Sequence, residues 1–270
     1  MCFLHKIMVV LLYLKPRFLL SGSIVIVKKE AVFKVGRGVR ILKSKIIVDE
    51  RCSLEVQAKT VLYRSAIIVQ RNTENCSSAQ IGIGCSFRDA LLHLKGNTII
   101  GTGNIIEKGD SYKKVTIVTN GDTTIGNYNR LRVRIWGRYQ SYICIGDYNN
   151  INEGSEIRCD DSVTIGHFNQ ISYDCLIWDT NTHAIYKSDE RRKLTITKFP
   201  LFGYEYEKPK TSPVEIGNDC WIGRRCSIFK GSKIGNSCII GFGTIVSNKM
   251  IQDNETVMQR LELKIFDNEI

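Results

Sequence analysis

The sequence predicts an all-β solenoid, in which short strands and tight corners repeat every six residues and three such units close one triangular coil. Three observations predict it. Ile216, Ile222, Ile228, Ile234, Ile240 and Val246 stand six residues apart without a slip. Glycine follows the aliphatic at Gly217, Gly223, Gly235 and Gly241, and the residue four beyond it is small: Cys220, Cys226, Ser232, Cys238 and Thr244. A longer echo, Ile125-Gly-Asn-Tyr-Asn129, Ile145-Gly-Asp-Tyr-Asn149 and Ile165-Gly-His-Phe-Asn169, returns every twenty residues, three hexads plus two. A helical face would drift off a six-residue register within two turns. Plain strand alternation gives a period of two and leaves the glycines unexplained. Stacked coils explain both, with the aliphatic filling the interior and Gly or Asn taking a corner with positive φ.

Taken in order, residues 1–23 hold an apolar run, Ile7 to Leu14, flanked by Lys6 and Lys15-Pro16-Arg17. It is too short to span a bilayer and lacks a small-residue cleavage site. A short helix is the expectation, and its basic flanks also suit peripheral contact with a membrane surface. The β-helix is expected over 24–249. β-branched residues dominate its start (Ile24 to Val27, Ile46 to Val48, Ile67 to Val69), and faint repeats follow at Ile81-Gly82 and Ile100-Gly101. Clear hexads are Ile145, Ile151, Ile157 and Ile165, Ile171, Ile177. Residues 250–270 contain neither Pro nor Gly and read as a terminal cap, another short helix.

The register breaks once, over 184–212, in a segment rich in charge and aromatics: Asp189-Glu-Arg-Arg-Lys193 and Phe202-Gly-Tyr-Glu-Tyr206. Long excursions from a regular scaffold usually carry function, and these aromatics favour an ordered lid or substrate wall. His183 sits immediately before it, where an aliphatic is due. Imidazole takes a proton near neutral pH without large tuning, so His183 is the candidate base, oriented by Asp179 or a backbone carbonyl. His167 falls at an exposed corner, and His5 and His93 lie outside the clear repeats. Four histidines without triad-like or zinc spacing predict no metal site.

The ten cysteines include no CxxC. Cys85, Cys175, Cys220, Cys226 and Cys238 take the small inward slot, where a thiol packs as a small hydrophobe, so a reduced, cytoplasmic protein is expected. The formal net charge of +11 admits a solvated surface or a field for acidic partners, CoA phosphates and anionic glycans among them. No nucleic-acid-binding signature accompanies it.

The stretch Pro213-Val-Glu-Ile-Gly-Asn-Asp-Cys-Trp-Ile-Gly223, continuing through Ile240-Gly-Phe-Gly-Thr-Ile-Val246, resembles the hexapeptide-repeat acyltransferases, most closely the sugar and capsular or lipopolysaccharide O-acetyltransferases. The resemblance is strong over 120–249, moderate over 80–120 and weak before that. It implies a left-handed parallel β-helix, against the usual right-handed crossover, a homotrimer with sites between subunits, and acetyl-CoA as co-substrate. It implies His183 as general base, with Asn152 and Asp160 as contacts to the acceptor sugar. Trp221 is implied beside the active site, as a donor to the acyl carbonyl or substrate, or as an aromatic packing on the adjacent subunit. Gly223, Gly241, Gly243 and Thr244 are implied along the pantetheine, and Lys230, Lys233 and Lys249 are candidates for CoA phosphates. Phe242 departs from the family's small residue and is expected to narrow the CoA tunnel. The activity implied is transfer of acetyl from acetyl-CoA to a hydroxyl of a sugar or surface polysaccharide; the basic surplus and the N-terminal run add the inner face of a membrane as a second expectation beside the cytoplasm. The alternatives are an N-acyltransferase on a nucleotide-linked amino sugar and a non-catalytic β-helix scaffold.

Overall fold

A computed structural model describes residues 18–72, 76–110, 114–260, 262, 264 and 265. The described residues form three parallel sheets of eleven, ten and ten strands. The first face runs from Phe18–Ser21 to Thr256–Val257, the second from Ile24–Val27 to Ile245–Ser247, and the third from Val32–Val35 to Met250–Ile251. Every strand pairs in parallel with the strand three places along the chain, so each coil rests directly on the last. This is a triangular β-solenoid of about eleven turns, of the left-handed β-helix class.

The six-residue aliphatics become vertical stacks. On the first face Leu131 lies over Ile151, Ile171, Ile222, Ile240 and Val257; on the second, Ile135 lies over Ile157, Ile177, Ile228 and Val246. All except the last rung of the first stack are buried in one continuous core. Each such side chain contributes about 1.5–3 kcal/mol by leaving water. The small slot is filled as expected: Cys85, Cys175, Cys220, Cys226 and Cys238 are buried.

The corners differ from expectation. Asn129, Asn149 and Asn169 turn into the shaft and are buried. Each Oδ1 accepts an N–H from the next coil, at Asn149, Asn169 and Cys220 in turn, at 2.7–2.9 Å. The positive φ falls on the residue before them, Tyr128, Tyr148 and Phe168, at 55–59°. Their rings stack outside at centroid spacings of 5.2 and 5.1 Å, which offsets the cost of a left-handed aromatic. The glycines after the aliphatics serve close approach instead: a Cβ on Gly217 would meet the Gly235 carbonyl oxygen at 2.7 Å.

The terminal helices are corrected for the described residues, whose one helix is Ser188–Lys198. Phe18–Ser21 is already a strand, and the run Ile7 to Leu14 lies outside the described residues. The cap after residue 249 begins as coil, with Ile251 under Ile234 and Val257 under Ile240. The inward positions pass from Val246 to Ile251, five residues instead of six, and this slip hides the last turn from a six-residue reading. No helix of the described residues is long and apolar enough to cross a membrane.

Candidate active site

The site grows from the corner after Leu176–Trp178, where the second face turns toward the third. Asp179 is fully buried there, and its carboxylate accepts the N–H groups of Asp160 (2.8 Å) and Asp161 (2.7 Å). Burial pushes its carboxyl above the ordinary value, against those two hydrogen bonds. Thr180 and Thr211 form an antiparallel bridge, Asn181 donates to the Lys210 carbonyl and Ser212 to that of Asp179. The excursion therefore leaves and rejoins the solenoid side by side.

Asp160 ties the corner together. It is fully buried, takes a bidentate pair from Arg138 at 2.7 and 2.6 Å, and accepts the Thr180 hydroxyl at 2.6 Å. Arg138 also donates to the Thr182 carbonyl at 3.0 Å, and Thr182 N–H donates to Thr180 Oγ1 at 3.0 Å. Burial alone would lower the guanidinium's pKa, but the Asp160 carboxylate holds it above the ordinary value. Thr182 thus keeps a left-handed φ of 66°, and His183 is presented outward from a fixed base, its side chain 70% exposed.

The excursion folds back over this histidine. The helix Ser188–Lys198 buries none of its residues and carries Asp189 and Glu190 in its first turn and Lys198 in its last, complementing its dipole. Its Arg191 lies over the Tyr186 ring at 4.7 Å, donates to the Tyr204 carbonyl at 2.9 Å and approaches Glu205 at 3.5 Å. The Tyr186 hydroxyl accepts the N–H groups of Tyr206 and Glu207, both at 3.0 Å. Tyr206 bonds to Glu190, which pushes its phenol up to about 12. So fixed, Glu205 is only 11% exposed, accepts the Ala184 N–H at 3.0 Å, and meets His183 Nδ1 at 2.7 Å. An ionised carboxylate only accepts, so Nδ1 is the donor of this bond, and in the neutral ring Nε2 is then the nitrogen with the lone pair.

Glu205, and not Asp179 or a backbone carbonyl, orients His183. Sequence reasoning missed it because the two are 22 residues apart and the excursion alone joins them. Asp160 is likewise no sugar contact, since it is sealed beneath Arg138. Lys230 and Lys249 occupy the same corner as His183, one and two coils further along. Lys233 lies on the third face, paired to Glu215 at 2.9 Å.

The remaining residues lie elsewhere in this chain. Asn152 follows the strand Asn150–Ile151 at the corner between the first and second faces, and its Nδ2 donates to the Ile171 carbonyl at 3.2 Å. Gly223, Gly241 and Gly243 continue that corner, and Trp221 stands 58% exposed on the first face. A Cβ on Gly223 would meet Phe242 N at 2.8 Å, and one on Gly241 would meet Met258 Cγ at 2.6 Å. Those two glycines serve coil packing. Of these three glycines Gly243 has open space beside it, with φ 69°. Thr244 is buried in the small slot, and Phe242 stands 67% exposed in solvent and narrows no tunnel within this chain.

The chain is similar to a "Probable acetyltransferase" of Mycobacterium tuberculosis. The two are 34% identical over 111 residues, 39% of this chain and 36% of the relative, so the chain spans about a third of that protein's length. Among solved structures it is similar to the polysialic-acid-specific acetyltransferase NeuO (TM-score 0.39, 15% identity, 92% of each chain). It is also similar to the polysialic acid O-acetyltransferase OatWY (TM-score 0.43, 15% identity, 89% of this chain and 92% of that one). An Arabidopsis UDP-N-acetylglucosamine acyltransferase follows at TM-score 0.35 and 15% identity, over 87% of this chain and 69% of that one. No protein-family model matches the chain.

Proposed function

We propose that this protein is an O-acetyltransferase that moves acetyl from acetyl-CoA to a hydroxyl of a sugar or surface polysaccharide. The observation that carries the reading is the outward His183 whose Nδ1 is held by the nearly buried Glu205 at 2.7 Å. The similarity to an acetyltransferase supports it. Acetyl-CoA, when bound, supplies the thioester carbon that the acceptor oxygen attacks. His183 Nε2 takes the hydroxyl proton as the new C–O bond forms, then returns it to the sulfur as the C–S bond breaks. Glu205 fixes the tautomer and steadies the imidazolium between those events. Lys230 and Lys249, on His183's corner one and two coils along, are our candidates for the CoA phosphates, and the open side of Gly243 is the one place among the implied glycines where a Cβ would fill free space.

His183 and Gly243 lie at different corners of one coil stack, so one chain does not bring them together. This supports a homotrimer with each site completed by a neighbour, and Asn152 and Trp221 facing His183 across that junction. Thiol release from acetyl-CoA across a panel of neutral and anionic glycans tests the activity. Turnover that survives in His183→Ala, or no turnover with any hydroxyl acceptor, would sink the reading.

A further inference from the structure

The second face carries a ladder that the transfer chemistry leaves unused. Trp136, Arg158, Trp178 and Phe229 are consecutive outward rungs of one column, paired Trp136 to Arg158, Arg158 to Trp178 and Trp178 to Phe229. The Arg158 guanidinium lies between the two indoles, 4.9 Å from the Trp178 centroid and 5.9 Å from that of Trp136. Arg134 covers Trp136 at 4.2 Å, and Phe229 tilts against Trp178 at 5.9 Å. Rings above and below a guanidinium hold it flat and leave its donors in the plane.

The charges do not balance. Arg134 and Arg158 share one carboxylate, Glu156, at 3.5 and 2.8 Å. The same coil carries Arg130 and Arg132, which share Glu107 at 2.6 and 3.1 Å. Among the described residues each cluster sets two guanidinium groups against one carboxylate. The coil's sequence, Arg130-Leu-Arg-Val-Arg-Ile-Trp136, alternates inward aliphatics with outward cations, so the band wraps from the first face onto the second. A carboxylate shared by two arginines neutralises only one of them. The surplus, held flat by aromatic rings, suits a planar anion.

The ladder's Trp178 is the last strand residue before the corner that presents His183. Arg134 and Arg158 belong to the coils before that corner, whereas Lys230 and Lys249 belong to the coils after it. The two basic groups flank the histidine on opposite sides. We propose that the Trp136–Arg158–Trp178 ladder is an acceptor subsite for a carboxylated sugar, with Arg158 and Arg134 pairing to the carboxylate. The acceptor is then an acidic oligosaccharide or polysaccharide, and the lysines are left to the phosphates of the donor. This rests on the reading of His183 as the transfer site.

Calorimetric binding tests it without turnover, in full-length protein with His183→Ala to silence chemistry. The probes are an oligogalacturonate of six units, maltohexaose as its neutral counterpart, and coenzyme A. The oligogalacturonate is expected to bind and maltohexaose not. Adding Arg158→Ala should weaken the acidic probe at least tenfold, Arg158→Lys should restore part of the loss, and coenzyme A affinity should stay unchanged. Circular dichroism confirms that each variant is folded. Equal binding of both glycans, no binding of the acidic one, or an Arg158→Ala loss that falls on coenzyme A would overturn the subsite. Absent transfer to any hydroxyl would overturn the enzyme reading alone and leave the binding result standing.

Discussion

At the scale of single residues, the site depends on a contact between two segments that share no local sequence logic. His183→Ala is expected to lower kcat/KM by roughly 10²–10⁴ with the fold unchanged, because proton transfer at the acceptor oxygen is lost. Glu205→Gln keeps the size of the partner and loses its charge, and a smaller loss, on the order of 10–10², is expected, in kcat rather than KM. Steady-state kinetics on both variants check this, and wild-type turnover in Glu205→Gln would remove Glu205 from the site. A second residue-scale effect concerns pH. Burial pushes the Glu107 carboxyl up, but Arg130 and Arg132 outweigh it and hold it below the usual carboxylate range. Its ionised form therefore stabilises the fold above the unfolded carboxylate value, about 4.3, and that support is lost as pH falls through the lower folded value. Glu107→Gln should flatten the acid side of a curve of melting temperature against pH, and parallel curves would refute the role. His183 was legible in the sequence as a gap in an aliphatic register. Glu205, Arg138 and Thr180 were not, because their contacts are made across coils or by a folded excursion whose path no period encodes.

At the scale of elements, the hexads were legible because each side of the shaft buries an aliphatic at one fixed position and burial enforces it. The period is clear where successive rungs lie eighteen to twenty residues apart, as from Leu131 to Ile151 and Ile222 to Ile240, and faint where they lie twenty-five apart, as from Leu62 to Phe87 and, at the six-residue strands Ala90–Lys95 and Val115–Asn120, from Leu92 to Ile117. There the coil grows and a fixed spacing fails. The corner asparagines were read as turn residues because asparagine favours left-handed φ, but burial with a partner for both Oδ1 and Nδ2 wins here. Asn149 accepts from the Asn169 N–H and donates to the Gly166 carbonyl at 2.9 Å each. Asn149→Ala leaves both buried groups unpaired and is expected to cost about 2–4 kcal/mol in a urea titration. Tyr148→Ala at the exposed partner of that corner should cost less, because its ring is half in solvent. A larger loss at Tyr148 would place the corner's strength outside the shaft.

At the scale of the whole molecule, each coil touches only its neighbours, so stability is close to a sum over adjacent pairs. The thiols report on this. Seven of the nine described cysteines are buried, Cys144 is half-buried and Cys76 is exposed. Burial pushes the Cys175 thiol up to about 11, and Cys85, Cys220 and Cys226 rise for the same reason. In a Cys2→Ser background at neutral pH, a thiol reagent should label Cys76 fast, Cys144 more slowly, and the remainder only as coils separate. Rapid labelling of Cys175 or Cys226 in the native protein would contradict a closed shaft.

The antiparallel bridge between Thr180 and Thr211 has a further consequence. Because the excursion's entrance and exit are neighbours, the host feels almost no tension from whatever length of chain lies between them. Residues 188–203 behave as an exchangeable cassette: excising them for a Gly-Ser linker is expected to move the melting point by only about 2–4 °C, while Arg191 leaves Glu205 and transfer falls. The length and sequence between those two threonines can change without ever reopening the shaft.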